Sequence, residues 1–103
     1  MMSPAEVRDF IFKRTVQAID PETMNVVALI TYNPDFTCRI EHLDTKATDA
    51  GVYGFTDAVY WTTYETFRDG TTNNFALKEQ GAGRAQAYYD DGRRAFLLVH
   101  TTP

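Results

Sequence analysis

The chain has 103 residues, of which 44% are apolar and 23% charged, and its formal net charge is −4. This length accommodates one hydrophobic core, so we expect a single domain over residues 1–103, and the composition is too apolar for a disordered chain. The acidic balance disfavours nucleic acid as a partner, and no apolar run approaches the roughly 20 residues of a membrane span. Cys38 is the one cysteine, which excludes an intrachain disulfide and favours a cytoplasmic location.

The N-terminal residues carry the start signals of a helix. Ser3, Pro4 and Glu6 provide an N-cap, a proline suited to the first turn and a capping box. Apolar residues then recur at helical spacing as far as Ile19. This pattern predicts a helix over residues 4–18.

The next segment repeats the start signal. Asp20 is a capping acid, and Pro21 suits the first turn of a helix. The residues from Met24 to Tyr32 are rich in β-branched side chains, so a buried strand is the alternative. Because a cap signal is more specific than propensity, we predict a second helix.

The middle of the chain gives mixed signals. Residues 36–43 alternate in character and predict a strand, whereas residues 44–54 are polar or contain glycine and predict a loop. A short strand around Val52 is an alternative within that loop. Over residues 55–67, aromatic spacing fits a helix and the mixture of Thr, Tyr and Trp fits a strand, so both remain open.

The C-terminal third predicts an antiparallel meander. Its strands are Phe75–Gln80, Arg84–Tyr89 and Arg94–Thr101, and glycine-containing turns at residues 81–83 and 90–92 separate them. With two helices before it, this meander indicates an α+β domain.

Three side chains are candidates for proton transfer. His42 and His100 share strand faces with apolar residues, and the pair acts as acid and base if both strands enclose one cavity. Asp35 precedes the first strand, where an apolar pocket would raise the pKa of its carboxyl group and make it a base. The alternatives are histidines in structural hydrogen bonds and an aspartate that caps the turn after Asn33.

The aromatic residues, 14% of the chain, supply candidates for the lining of a pocket. The candidates for substrate binding are Tyr32, Tyr60, Trp61, Tyr64 and Tyr88. Core packing or a protein interface would also explain such rings. The two histidines have no clustered third ligand, so we predict no metal and no other cofactor.

The predicted order of elements resembles a known superfamily. Two helices, a strand introduced by Tyr32-Asn33-Pro34-Asp35-Phe36-Thr37, a glycine-flanked segment and a meander resemble the SnoaL-like proteins, which share the nuclear-transport-factor-like fold with ketosteroid isomerases and scytalone dehydratase. The resemblance implies a third helix at residues 55–68. It further implies a cone-like α+β barrel in which N-terminal helices pack on a curved antiparallel sheet around an apolar pocket. Since the usual fold continues for one or two more strands, either a homodimer partner completes the sheet or the fold is a shortened variant.

Two functions are consistent with these features. The resemblance implies a pocket that takes a small hydrophobic ligand, with isomerase, dehydratase or cyclase chemistry by acid/base catalysis, or with binding alone. The alternative is a non-catalytic interaction module, such as a small acidic viral or phage-borne inhibitor of a host complex. Acidic side chains would then imitate nucleic-acid phosphates, and the interaction would weaken steeply with salt.

Overall fold

The computed structural model describes residues 1–101 and shows a closed antiparallel barrel. Each of its eight strands pairs with its neighbours in chain order, and the last strand pairs with the first. Within these residues one α-helix precedes the strands, and a 3₁₀ turn follows the fifth strand. The elements are α1 (Pro4–Ile11), β1 (Thr15–Ile19), β2 (Val26–Tyr32), β3 (Thr37–His42), β4 (Thr48–Thr56), β5 (Val59–Tyr64), the 3₁₀ turn (Phe67–Gly70), β6 (Thr72–Glu79), β7 (Arg84–Tyr88) and β8 (Arg94–His100).

Helix α1 begins at its predicted cap but ends early. The Ser3 hydroxyl accepts a hydrogen bond from the Glu6 N–H at 3.3 Å, and the Glu6 carboxylate accepts one from the Ser3 N–H at 2.9 Å. The helix stops at Ile11, and Lys13 has a left-handed φ of 63° that a right-handed helix does not contain. The predicted helix over residues 4–18 is therefore wrong beyond Ile11.

The apolar residues that extended the helical pattern belong to β1. Val16 and Ala18 alternate along the strand and are both fully buried. Val16 pairs with Ile30 on one side and with His100 on the other. Pairing along both edges provides hydrogen-bond partners for the backbone N–H and C=O groups of this segment. This stabilisation outweighs a helical spacing of apolar residues that rests on few positions.

The second predicted helix is also wrong. The Asp20 carboxylate does accept a hydrogen bond from the Glu22 N–H at 2.9 Å, but this bond stabilises the turn between β1 and β2. Met24 then adopts a left-handed φ of 62°, and β2 follows with Ala28 and Ile30 buried. The alternative interpretation of this β-branched segment, a buried strand, is the one observed.

The middle of the chain is mostly strand. β3 confirms the strand predicted at residues 36–43 to within one residue at each end. β4 occupies most of the predicted loop, which is therefore wrong. Residues 55–67 contain the end of β4, a tight turn, β5 and the first residue of the 3₁₀ turn, so this segment is mainly strand. The third helix implied for residues 55–68 is wrong.

Two glycines explain why β4 was predicted as a loop. A Cβ on Gly51 would lie 2.3 Å from the Thr63 carbonyl oxygen, and one on Gly54 would lie 2.6 Å from the Trp61 ring. The close approach of β5 thus requires glycine at both positions.

The predicted C-terminal meander is confirmed as β6, β7 and β8. The predicted fold class is nevertheless wrong, because the chain forms a nearly all-β barrel instead of an α+β cone with several helices. β8 pairs with β1 from Val16 opposite His100 to Ile19 opposite Leu97. The sheet therefore closes within one chain, and no second copy is needed to complete it.

The two ends of the barrel are covered by different elements. Helix α1 covers one end, the helix end, with the buried side chains of Val7, Phe10 and Ile11. The 3₁₀ turn lies at the other end, the turn end, together with the connections from β1 to β2, β3 to β4 and β7 to β8. No helix in the described part of the chain has the length and apolar character needed to cross a membrane.

Candidate functional site

A narrow cavity lies inside the barrel toward the turn end. Its volume is about 10 Å³, which is room for one water molecule. Apolar walls and a few polar groups surround it, contributed by β2, β5, β6, β7, β8 and the 3₁₀ turn. The lining side chains are Ile30, Tyr32, Tyr60, Thr62, Tyr64, Arg68, Phe75, Ala87, Ala95, Phe96 and Leu98.

Strand β5 supplies the hydroxyl groups of this cavity. Alternation along the strand turns Tyr60, Thr62 and Tyr64 inward, and each is at most 4% exposed. The Tyr32 hydroxyl donates to the Tyr60 hydroxyl at 3.4 Å. The hydroxyls of Thr62 and Tyr64 have no hydrogen-bond partner among the described residues.

The thiol of Cys38 lies beside the Tyr64 hydroxyl but does not replace a partner. The two groups interact as a weak hydrogen bond would, since the contact lowers the pKa of Cys38 and raises that of Tyr64, but sulfur is a poor acceptor and the contact lies outside ordinary hydrogen-bond geometry. Burial raises the pKa of the Cys38 thiol to about 11, so it stays neutral. The buried Thr62 hydroxyl thus carries the cost of desolvation without a protein partner, and the Tyr64 hydroxyl carries most of that cost because its contact with sulfur is weak.

The tyrosines of the cavity are held in their protonated form. Burial raises the pKa of Tyr60 to about 12, and it also raises the pKa of Tyr32 and of Tyr64. The positive charge of Arg68, which lines the same cavity, acts in the opposite direction and lowers the pKa values of Tyr60 and Tyr64. These phenols are hydrogen-bond donors at neutral pH.

Arg68 closes the cavity at the turn end. Its guanidinium carbon lies 4.6 Å from the ring centroid of Phe67, 5.1 Å from that of Phe75, and 5.6 Å from those of Tyr89 and Phe96. The guanidinium also donates to the Tyr89 hydroxyl at 3.1 Å. Within residues 1–101 it forms no ion pair, since the one salt bridge there joins Arg93 and Asp91. A half-buried cation is therefore held by ring faces and one neutral hydroxyl.

The turn that carries Arg68 has an unusual backbone. Arg68, Asp69 and Gly70 are three successive residues in the left-handed region, with φ of 57°, 57° and 69°. Non-glycine residues adopt this conformation at a cost and often at functional sites. A glycine after two charged residues is typical of a turn, but nothing in the sequence indicates that Arg68 covers a cavity.

Asp49 holds the start of this turn. Its carboxylate accepts hydrogen bonds from the Phe67 N–H at 2.7 Å and from the N–H and hydroxyl of Thr66, both at 3.0 Å. Desolvation raises the pKa of Asp49, but these bonds outweigh it and leave that pKa below its ordinary value. Asp49 went unnoticed in the sequence because it fell in the predicted loop.

Three of the five predicted binding residues lie together in the cavity. Tyr32, Tyr60 and Tyr64 line it, whereas Trp61 and Tyr88 are half-buried and do not. Trp61 neighbours Tyr60 in β5, so alternation places it on the outer face, where it packs on Gly54. Thr62, which the prediction missed, could have been found from its position midway between two inward tyrosines.

The proton-transfer candidates are not brought together. His42 packs edge-to-face against Phe67 at the turn end, with ring centroids 4.8 Å apart. His100 lies at the helix end, where its Nε2 is 2.8 Å from the Phe10 carbonyl oxygen and its ring stacks on Phe10 at 4.1 Å. Neither histidine lines the interior cavity.

Asp35 occupies the connection between β2 and β3. Its exposed carboxylate accepts hydrogen bonds from the Thr37 hydroxyl at 2.6 Å and from the Thr37 N–H at 3.0 Å. These bonds lower the pKa of Asp35, the opposite of the direction expected for a base in an apolar pocket. The arrangement matches the alternative interpretation, a turn cap.

Among residues 1–101, His, Cys, Asp and Glu side chains form no group of three that could hold a metal ion. No protein-family model, curated protein or solved structure matches the chain. The function is therefore argued from the cavity itself.

Proposed function

We propose that the barrel binds a small, largely apolar molecule in its interior, at the turn end. The observation that carries this proposal is the pair of buried, unpartnered hydroxyls of Thr62 and Tyr64 in a cavity with apolar walls. Binding pockets combine apolar walls with a few polar groups that orient the ligand. Each of these hydroxyls would gain a hydrogen bond from a polar group on the ligand.

Under this proposal, the interior site is closed when no ligand is bound. A cavity of about 10 Å³ holds nothing larger than water, so a ligand enters only when the Arg68 side chain moves outward. The planar guanidinium lies against the faces of several rings, and a planar ring of the ligand would use the same faces. Movement of Arg68 thus creates both the entrance and the space.

The turn end is better suited to opening than the helix end. At the helix end, α1 is anchored by buried apolar side chains, by the hydrogen bond from Met2 N–H to Leu77 C=O and by that from Tyr32 N–H to Arg14 C=O, at 2.8 and 2.9 Å. At the turn end, no residue of the 3₁₀ turn is fully buried. Segments with few buried contacts open at the lowest free energy.

The proposal is tested with one-ring compounds and methyl NMR. Phenol, benzyl alcohol and benzoate are titrated separately into the protein, and the methyl signals of Ala87, Ala95 and Leu98 are followed. We expect at least one compound to shift these interior signals and to raise the melting temperature, while the exposed Val26 and Val52 methyls stay unchanged.

A matched pair of variants locates the binding. Ala87→Val adds volume inside the cavity, and Ala50→Val adds the same volume on the exposed face of β4. Binding should weaken at least tenfold in the first variant and remain unchanged in the second. If no compound affects the interior methyls, or if both variants bind as the parent does, the proposed site is wrong.

A further inference from the structure

All polar side chains around the interior cavity can donate hydrogen bonds. They are the guanidinium of Arg68 and the hydroxyls of Tyr32, Tyr60, Thr62 and Tyr64. The lining contains no carboxylate, no histidine and no amide side chain. The Tyr32 hydroxyl donates to that of Tyr60, which leaves the Tyr60 proton free to donate onward. The site is thus rich in donors and lacks a strong acceptor.

Arg68 adds a positive charge without a negative partner. This guanidinium lies against ring faces and donates to the Tyr89 hydroxyl, and among the described residues it forms no ion pair with a carboxylate. Its planar fork matches the two oxygens of a carboxylate. A ligand that brings such a group would compensate a charge that the protein leaves unpaired.

We infer that the ligand is a compact monocarboxylate, with its carboxylate between the Arg68 guanidinium and the hydroxyls of Tyr60 and Tyr64. This inference rests on the proposed function, because it names the class of molecule that the interior site takes. The apolar body of the ligand lies against the side chains of Ala87 and Ala95, where the small methyl groups leave the most room. A single ring or a short branched chain is the size that displacement of one arginine side chain accommodates.

The test compares an acid with its amide. Benzoate and benzamide have nearly the same shape, but the amide group carries donors and no charge. Titrations at pH 7 should give benzoate an affinity at least tenfold higher for the parent protein, because hydrogen bonds from a cation to a carboxylate are much stronger than those to a neutral group. The methyl signals of Ala87 and Ala95 report whether either compound occupies the interior.

Arg68 and Arg94 provide the matched variants. Arg68→Met removes the charge at the cavity, whereas Arg94→Met removes the same charge from an exposed position at the same end of the barrel. The preference for benzoate should fall to about onefold in the first variant and persist in the second. Arg68→Lys retains the charge without the planar fork, and it should show an intermediate preference.

The outcomes separate the inference from the proposed function. If benzamide binds as tightly as benzoate, or if Arg68→Met keeps the preference, the carboxylate assignment is overturned although the interior still binds ligands. If neither compound shifts the interior methyls of the parent protein, both proposals fail. A preference that disappears equally in Arg94→Met reflects the general charge of this end and also overturns the assignment.

Discussion

Removal of the Tyr64 hydroxyl should stabilise the ligand-free protein. The Tyr64 side chain is 4% exposed, and its hydroxyl has no partner beyond the weak contact with the Cys38 thiol, so folding desolvates this group with little compensation. Such a group costs about 1–3 kcal/mol. The weak contact with the Cys38 thiol places the expected gain of Tyr64→Phe near the lower limit, at about 1 kcal/mol. The edge-to-face packing of the ring on Phe67, at 5.5 Å, is kept.

Urea unfolding measures this gain. With a slope of about 2 kcal/mol per molar urea for a domain of this size, the midpoint should rise by about 0.5 M while the slope stays constant. Tyr53→Phe is the matched control, because the Tyr53 ring is equally buried and its hydroxyl donates to the Asn33 carbonyl at 2.7 Å. That variant should lose about 1 kcal/mol.

The two tyrosines must therefore respond with opposite sign. An equal loss of stability in both variants would mean that the Tyr64 hydroxyl has a partner in the folded protein. The argument for a ligand at that hydroxyl would then lose its basis.

Two further predictions concern β4. Gly51→Ala should destabilise the protein by about 3 kcal/mol, since the new Cβ meets the Thr63 carbonyl at 2.3 Å. Gly92→Ala, with open space around a φ of 86°, should cost only about 1 kcal/mol in the same urea unfolding assay. Because the pKa of Asp49 is lowered in the folded state, its bonds to the turn act fully above its ordinary value of 3.8 and are lost as the pH falls through the lower folded value. Asp49→Asn should abolish this acid dependence, measured as the hydrogen-exchange protection of the Phe67 amide.

Each of these two predictions has a result that would contradict it. If the two glycine variants lose equal stability, the close approach of β5 does not constrain β4. If the Phe67 amide shows the same acid dependence with asparagine at position 49, another group governs the turn.

Some residues of the candidate site could be predicted from the sequence. The aromatic surplus directed attention to Tyr32, Tyr60 and Tyr64, and these three rings line the cavity. Trp61 and Tyr88 were selected on the same ground and do not line the cavity. Composition identifies rings, but only the strand register decides which of them face inward.

Arg68 could not have been predicted as a cavity residue. It follows β5 in a turn, and in sequence it is one of two charged residues that precede Gly70. Its neighbours Phe75, Tyr89 and Phe96 come from later parts of the chain, and its contact with Tyr89 spans 21 positions. Pairing of β5 with β6 and of β7 with β8 brings these rings to one end of the barrel.

The sequence by itself determined the features that depend on neighbouring residues. The start of α1 follows from a hydrogen-bonded pair three positions apart, and the C-terminal strands follow from alternation between glycine turns. Only the tertiary structure decided that residues 15–19 and 26–32 are strands, because their backbone partners lie elsewhere. Val16, for example, pairs with His100 across most of the chain. A local pattern indicates which conformations a segment tolerates, whereas closure of the barrel selects the one in which every strand has two neighbours.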